Sequence, residues 1–219
     1  MSTTSVDCSF DYARPKHRRV YQRLGKRLLD VCFVLLALPI VLPLVLLAAA
    51  LLAMESGRPF YRQDRIGRNG RVFSMVKLRS MVPDADKMLA AYLEANPEAL
   101  KEWSEKQKLT CDPRITRMGG LLRKTSLDEL PQLWNVLMGD MSIVGPRPMM
   151  VSQKHLYPGT AYYSVRPGIT GLWQISRRHT SSFAARTHFD AHYCRTISLK
   201  KDLQIILRTV TVVLRGTGC

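Results

Sequence analysis

The sequence is short of acidic residues. It has 17 Asp and Glu against 33 Lys and Arg, which gives a formal net charge of +16 at pH 7. A surplus of this size indicates a polyanionic partner: nucleic acid, anionic lipid headgroups or a phosphorylated substrate. Charge alone does not choose among these three.

Disulfide and metal-binding patterns are also lacking. The five cysteines are scattered and form no CxxC pair, so neither a disulfide framework nor a zinc site is indicated, and a reducing cytosol fits. His188 and His192 lie four residues apart without an HExxH motif, so we do not expect them to bind a metal. Because zinc fingers and RNA-stacking aromatic motifs are missing too, we expect no nucleic-acid partner.

One apolar run stands out in a chain whose hydrophobic fraction, 46%, is ordinary for a folded protein. Between residues 28 and 54 the only charged side chain is Asp30, and the run is long enough to cross a bilayer. A polar stretch of about 25 residues precedes it, which argues against an ordinary cleavable signal peptide.

Two features of this run favour a hairpin over a straight span. Pro39 and Pro43 lie in its middle, and each removes a backbone hydrogen bond and clashes with a carbonyl four residues earlier. Both flanks are basic, whereas a spanning helix normally carries excess positive charge on its cytoplasmic side only. We therefore expect a re-entrant helix-break-helix hairpin at residues 26–56, with a plain single span as the alternative. The basic flanking residues, which we expect to contact anionic membrane lipids, are Arg14, Lys16, Arg18, Arg19, Arg23, Lys26, Arg27, Arg58, Arg62, Arg65, Arg68 and Arg71.

The rest of the chain predicts a small helix-rich α+β cytosolic domain at residues 57–219, and residues 1–25 form a basic N-terminal segment. Strands are predicted in PFYRQ, in VFSMVKL, in MSIV and on both sides of the turn at Pro167 and Gly168. Helices are predicted at residues 84–107 with a division at Pro97, at residues 130–138 with Trp134 in the core, and at Leu199–Leu214. The last helix is basic and amphipathic, so it either packs on the core, lies in a membrane interface or supplies a homo-oligomer contact.

Asp128 and Glu129 are adjacent acids in RKTSLDELPQLWN, just before a predicted helix. Ser126 and Glu129 have the S-x-x-E form of a capping box, and a helix start favours acids. Catalysis is the other interpretation, and the two are not exclusive.

Cations accompany this acidic pair. Arg123 and Lys124 precede it, and Arg147 follows the helix between Pro146 and Pro148, which restrict the backbone that presents it. The arginine fork suits bidentate phosphate binding. Two carboxylates with such cations suit a magnesium-assisted attack on a diphosphate, in which the acids hold the metal or attack phosphorus.

Six collinear blocks carry a family resemblance: KRLLD, RQDRIGRNGRVFSMVKLRSM, DPRITRMGGLLRKTSLDELPQLWNVLMGDMSIVGPRP, YYSVRPGITGLWQISRRH, FDAHY and SLKKDLQIILRTVTVVL. Together they resemble the bacterial sugar transferase family, the monotopic polyprenyl-phosphate phosphoglycosyl transferases. The resemblance implies an enzyme at the cytoplasmic face of the bacterial inner membrane. It implies transfer of a sugar 1-phosphate from a UDP-sugar to polyprenyl phosphate with release of UMP, the first membrane step of exopolysaccharide biosynthesis.

The resemblance also assigns roles to residues. Asp128 is the expected nucleophile of a ping-pong reaction, and Glu129 is a metal-binding or orienting partner, with Mg²⁺ held by the two acids. The residues that it assigns to the phosphates and charge of the substrate are Arg123, Arg147, Lys77 and Asp190. The stretches TCDPRITRMGG and VVLRGTG resemble members that use galactose or glucose, and we favour galactose.

Some expectations stay open from the sequence. Leu42 and Pro43 stand where many family members have Ser-Pro, so the break of the hairpin falls at Pro39 or Pro43, and the extra membrane-spanning domain of larger relatives is expected to be absent. The Asp112, Arg114 and Arg117 segment forms either part of a nucleotide pocket or a salt-bridged turn. A non-catalytic basic membrane adaptor is the alternative to an enzyme.

Overall fold

A long N-terminal helix precedes the globular part of the protein. The computed structural model describes residues 20–176 and 182–214, so most of the predicted basic N-terminal segment, residues 1–19, lies outside the described residues. A turn of π-helix at Tyr21–Gly25 leads into helix α1, Lys26–Ser56. The helix ends at Gly57, whose left-handed φ of 73° closes its last turn by a bond to the Ala53 carbonyl.

Helix α1 runs without a break in helical backbone through Pro39 and Pro43. The predicted helix-break-helix hairpin is therefore not confirmed. Within the described residues, one helical stretch, Tyr21–Glu55, has the length and apolar character needed to cross a membrane, with a mean hydropathy of 3.0. Only 11% of its most apolar window is buried in the protein, so it is not an ordinary core helix.

One stripe of α1 nevertheless lies against the globular part along the length of the helix. Val34 is fully buried in the main core beside Val136 and Met141. Near the other end, Ala48 and Leu52 pack in a second cluster, which also contains Leu78 and Leu122. Both ends of the helix are thus in contact with the same domain. The large apolar side chains exposed on the rest of α1 are Leu28, Phe33, Leu35, Leu36, Leu38, Ile40, Leu42, Leu44, Leu46, Leu47, Leu51 and Met54.

Polar contacts fix the N-terminal end of α1. Lys26 is buried and pairs with the carboxylate of Asp202 at 2.8 Å, and Arg27 donates to the Leu137 carbonyl at 2.6 Å. The buried Asp30 accepts from the Ser142 hydroxyl at 2.9 Å. Lys26 and Arg27 were expected to contact lipid. Their side chains instead donate to acceptors within the protein.

Two small sheets form the centre of the domain. Strands β1 (Phe60–Ile66) and β2 (Val72–Leu78) make an antiparallel hairpin, a pairing that the sequence did not predict. Strand β3 (Ser142–Val144) pairs in parallel with β5 (Gly168–Thr170), and β4 (Met149–Met150) adds to the free edge of β1. The hairpin turn has positive φ at both Asn69 and Gly70. Glycine tolerates this backbone because it has no Cβ, and asparagine adopts it more readily than most residues.

Helices surround these sheets. The remaining helices are α2 (Ala85–Ala95), α3 (Pro97–Lys106), α4 (Arg117–Thr125), α5 (Gln132–Met138), α6 (Leu172–Ser176), α7 (Arg186–Thr196) and α8 (Leu199–Leu214). The helix-rich α+β prediction and the division at Pro97 are confirmed. Helix α8 buries Ile205 and exposes Leu203, Leu207 and Val210.

Three local predictions are wrong. The stretch before the Pro167 turn, predicted as a strand, forms a 3₁₀ helix at Ala161–Ser164. After the turn the predicted strand is present only as β5, and the following Leu172–Ser176 form the short helix α6. Trp134, predicted in the core, has 58% of its surface exposed. Helix α5 has only seven residues, and it turns Leu133, Asn135 and Val136 inward instead, because the Asn135 side chain bonds to strand β2.

Candidate active site

The two acids lie in the tight connection between α4 and α5. Helix α4 ends at Thr125, and Ser126 takes a left-handed φ of 59°, which starts a single 3₁₀ turn at Leu127–Glu129. Asp128 is 6% exposed. Ser126 makes no side-chain cap hydrogen bond, so the predicted capping box is not formed and the Glu129 carboxylate is turned to other partners.

Glu129 is held by two cations that are distant in sequence. The Lys77 ammonium at the end of β2 donates to Glu129 Oε1 at 3.1 Å, and the Arg147 guanidinium lies 3.4 Å from the same oxygen. The side chain of Arg147 is 34% exposed, the most accessible of the three. The structure thus brings Lys77, Glu129 and Arg147 together.

Strand β2 is fixed beside the acids by a side-chain clamp. Asn135 on α5 accepts from the Val76 amide at 3.1 Å and donates to the Ser74 carbonyl at 2.9 Å. Because Asn135 is 3% exposed, both bonds are protected from water. The residue next to Val76 is Lys77, so the clamp sets the distance between the lysine and the turn that carries Glu129.

Arg123 reaches the site from the last turn of α4. Its Nε donates to the Ser80 hydroxyl at 2.9 Å. Helix α4 can approach Ser80 this closely because residue 119 is glycine: a Cβ there would meet the Ser80 carbonyl oxygen at 2.0 Å. Thr116 caps the start of the helix by accepting from the Gly119 amide at 2.9 Å.

Burial and neighbouring charges shift the pKa values of Asp128 and Lys77. Burial raises the pKa of Asp128 above its ordinary range, and the negative charge of Glu129 raises it further, while Lys77, Arg123 and Arg147 oppose the shift. Burial lowers the pKa of Lys77, and the two acids oppose that shift. The described residues donate no hydrogen bond to the Asp128 carboxylate. Asp128 is therefore a buried carboxylate with unused lone pairs, stabilised as an anion by surrounding cations.

Two more arginines approach the site, and neither was singled out from the sequence as a site residue. Arg65 on β1 donates from Nη1 to the Pro148 carbonyl at 3.0 Å, beside Arg147. Arg186 on α7 lies over the Trp173 ring at 4.2 Å and the Phe183 ring at 4.4 Å. Burial and the nearby charge of Arg147 lower the pKa of Arg65 to about 10 and that of Arg186 to about 9. Arg65 lies in the block RQDRIGRNGRVFSMVKLRSM, but the sequence assigned it only to the lipid surface, whereas Arg186 lies in none of the six blocks.

Asp190 lies behind this cluster rather than beside the acidic pair. It is 5% exposed and accepts a hydrogen bond from the Tyr157 hydroxyl at 2.8 Å. Burial raises its pKa to about 7, while the Tyr157 hydrogen bond and the charge of Arg186 oppose the shift. Its role in the substrate site stays a prediction.

The other residues considered from the sequence lie away from the acids or make structural contacts. Arg114 and Asp112 form a buried ion pair of 2.6 Å, so the salt-bridged turn is the interpretation that the structure favours. His188 and His192 are both exposed on α7.

Among the residues that the structure describes, the adjacent carboxylates of Asp128 and Glu129 are the candidate ligands for a metal in this part of the site. In the described part of the chain, no three His, Cys, Asp or Glu side chains cluster as a metal site. Mg²⁺ commonly takes one or two carboxylates and fills its octahedron with water and substrate phosphates. The unused oxygens of Asp128 fit such an ion, although Glu129 Oε1 is already shared by Lys77 and Arg147.

Comparison with known proteins places this chain in a family. The model of a family described as bacterial sugar transferase matches residues 21–216. A Sinorhizobium fredii exopolysaccharide production protein, ExoY, is 45% identical over 198 residues, which cover 89% of this chain and 88% of that protein.

Two further relatives carry more specific names. A UDP-galactose-lipid carrier transferase of Erwinia amylovora is 43% identical over 90% of this chain, but the chain spans only 42% of that relative's length. A UDP-glucose:undecaprenyl-phosphate glucose-1-phosphate transferase of Caulobacter vibrioides is 40% identical, with 90% of this chain and 72% of that protein covered.

Proposed function

Because the chain belongs to the bacterial sugar transferase family and is therefore an enzyme, we propose that it transfers a sugar 1-phosphate from a UDP-sugar to undecaprenyl phosphate. The names of the Erwinia and Caulobacter relatives support these two substrate classes. Galactose is the favoured sugar and glucose the second. The name of the Sinorhizobium relative supports a place at the start of exopolysaccharide synthesis.

The observation that carries the proposal is the state of Asp128. A buried carboxylate that no described residue hydrogen-bonds, with three cations around it, is a nucleophile rather than a structural acid. An Asp128 oxygen attacks the phosphorus that adjoins the sugar, and the bond from that phosphorus to the oxygen bridging the two phosphates breaks. The bonding electrons leave with UMP, and the sugar phosphate remains on Asp128.

The second step releases the sugar phosphate. A phosphate oxygen of undecaprenyl phosphate attacks the same phosphorus, the bond to Asp128 breaks, and the carboxylate is regenerated. The product is an undecaprenyl diphosphate sugar, and no oxidant or further reactant is needed. An acyl phosphate is reactive enough to be discharged by a phosphate nucleophile.

The cations supply stabilisation where negative charge develops. Lys77 and Arg147 form ion pairs with Glu129, and Arg123 approaches the acid pair from α4. Fixed cations in a site of low water content stabilise the phosphoryl transition state without reorganisation. When bound by Asp128 and Glu129, Mg²⁺ would neutralise further charge on the diphosphate oxygens.

The apolar helix supports a monotopic position at the membrane. Both the Val34 region and the Leu52 region of α1 pack on the same domain, while most of its leucines are exposed. A helix that crosses a bilayer and emerges on the far side would not bring both ends to one cytosolic domain. We therefore retain re-entrant insertion at the cytoplasmic face, with the bend at the prolines, as part of the proposal.

A direct assay tests the function. The full chain, purified in lipid nanodiscs with undecaprenyl phosphate and Mg²⁺, is offered UDP-galactose, UDP-glucose and other UDP-sugars, and released UMP is measured. We expect steady release with one sugar, abolished by a chelator and restored by Mg²⁺. Without undecaprenyl phosphate, release should stop after an amount equal to the enzyme. Absence of UMP release with every donor would support the non-catalytic adaptor instead.

Topology needs a separate measurement. A small tag at either end of the chain should be accessible only after the inner membrane is opened, because the proposal puts both ends in the cytoplasm. An N-terminal tag accessible from the periplasm would favour the single span.

A further inference from the structure

The guanidinium of Arg186 donates no hydrogen bond to any residue that the structure describes. It is stacked against Trp173 and Phe183, at 4.2 and 4.4 Å from the two ring centres. No residue within 20–176 or 182–214 accepts a hydrogen bond from this side chain, and its Nε is buried without a partner. A buried donor without an acceptor destabilises the folded state, so its retention requires an explanation.

The obvious structural explanation does not account for it. Asp190 lies one turn further along α7, where an ion pair with Arg186 would be expected. The Asp190 carboxylate instead accepts from Tyr157 at 2.8 Å, and in the described part of the chain no ion pair joins it to Arg186. The aromatic rings therefore hold the guanidinium in place without using its donors.

Arg65 shows the same feature on the opposite side of Arg147. Its Nη1 is bonded to the Pro148 carbonyl at 3.0 Å, whereas its Nε is buried with no partner in the described residues. Packing brings Arg186 to the same region: Phe183, whose ring it lies over, shares a buried cluster with Ile66 and Met149, the chain neighbours of Arg65 and Pro148. The positive charge of Arg147, next to Pro148, lowers the pKa of both Arg65 and Arg186. Three guanidiniums thus lie in one region although like charges repel, and one acid, Glu129, is paired with Arg147.

We propose that Arg65, Arg147 and Arg186 form a second phosphate subsite, which holds first the phosphate of the departing UMP and then the phosphate of the entering undecaprenyl phosphate. The inference rests on the function proposed above. The arginine fork matches phosphate oxygens, and a dianionic group relieves the repulsion among the three cations.

The shared use follows from the geometry of displacement. In phosphoryl transfer the attacking and leaving oxygens are roughly in line on opposite sides of phosphorus. Asp128 attacks in the first step, so UMP leaves from the side opposite Asp128. In the second step Asp128 is the leaving group, so the acceptor phosphate must attack from that same side. One subsite therefore serves two substrates in turn.

Two half-reactions measured separately test this subsite. Exchange of labelled UMP into UDP-galactose without acceptor reports the nucleotide phosphate, or exchange into UDP-glucose if that is the donor used. Discharge of the isolated sugar-phosphate enzyme by undecaprenyl phosphate reports the acceptor phosphate. For Arg186→Gln we expect both rates to fall by about 10- to 100-fold, the factor for a lost charged hydrogen bond. Arg186→Lys should recover part of both rates, and the UMP concentration for half-maximal exchange should rise in Arg186→Gln.

A matched variant guards against a loss of folding. Arg195→Gln changes an exposed arginine on the same helix and should leave the two rates unchanged. Rates unaffected by Arg186→Gln would overturn the subsite, and a loss confined to one half-reaction would overturn its shared use. A wild-type protein that performs neither half-reaction would contradict the proposed function itself, whatever the arginine variants do.

Discussion

Lys77 and Glu129 form an ion pair at 3.1 Å although 52 residues separate them in the chain. The pair joins the end of the β-hairpin to the turn that carries the acids. It is flanked by the Asn135 clamp on one side and by Arg147 on the other. The lysine therefore serves both as the partner of Glu129 and as a charge that acts on Asp128.

Removal of the nucleophile should abolish turnover. Asp128→Asn keeps the size of the side chain but replaces the carboxylate by an amide that cannot form the acyl phosphate bond. UMP release should fall by at least about 1,000-fold, as is typical when a covalent nucleophile is lost. The burst without acceptor should vanish as well. Asp140→Asn, in the loop after α5, is a control and should retain the burst. Normal turnover in Asp128→Asn would falsify the nucleophile assignment.

Loss of the Lys77 charge should move the acid limb of the pH profile. Asp128 must be ionised to attack, so kcat/KM falls as pH drops through its pKa, which burial already raises. Lys77 opposes that rise, and Lys77→Met should raise the pKa of Asp128 further and shift the acid limb to higher pH. Lys87→Met, at an exposed lysine of α2, should leave the profile in place. An acid limb that stays fixed or moves to lower pH in Lys77→Met would show that Lys77 does not act on the nucleophile.

A methyl group at residue 119 should shift helix α4 and so move Arg123 in the site. In Gly119→Ala the new Cβ would lie 2.0 Å from the Ser80 carbonyl oxygen, so α4 must shift and carry Arg123 away from Ser80. We expect destabilisation of about 1–3 kcal/mol or more, as overpacking against backbone produces, together with slower UMP release. The measurements are thermal unfolding and the UMP assay in the same nanodiscs.

The neighbouring glycine provides the control for this effect. A Cβ at Gly120 meets nothing within 4 Å. Gly120→Ala should therefore leave activity intact and stabilise α4 by up to about 1 kcal/mol, because alanine favours helix more than glycine does. Equal behaviour of the two variants would mean that the contact with Ser80 does not limit the approach of α4.

Asp190 should make stability depend on pH. Its pKa is raised to about 7 in the folded protein, above the ordinary value of 3.8, so the folded state binds the proton more tightly than the unfolded state. The corresponding stability is complete below about pH 4 and is lost as pH rises through about 7. Asp190→Asn stays neutral and lacks this dependence. The unfolding temperature of the wild type, relative to Asp190→Asn, should fall between pH 5 and pH 8. A constant difference across that range would contradict the raised pKa.

Most helices and strands, and the charged residues of the candidate site, could be predicted from the sequence. The strand patterns predicted β1 and β2, and helical spacing predicted α2, α3 and α8. Pro97 correctly predicted the division between α2 and α3. These predictions succeed because each pattern lies within a single element. The acids at 128 and 129, with Arg123, Arg147 and Lys77, were identified from motif and family resemblance. The apolar run was evident from composition alone.

Which side chains contact one another and which remain exposed depends on the tertiary structure and could not be predicted from the sequence. Trp134 has an apolar position in a helical pattern, yet Asn135 turns α5 so that the indole is exposed, because a polar clamp to β2 outweighs the local pattern. Ser126 fits a capping box but adopts a left-handed backbone that leaves Glu129 for Lys77. Arg65 and Arg186 lie 121 residues apart, and only Arg65 falls within one of the six family blocks. They approach Arg147 through the pairing of β1 with β4 and the packing of α7, long-range contacts that no local periodicity encodes.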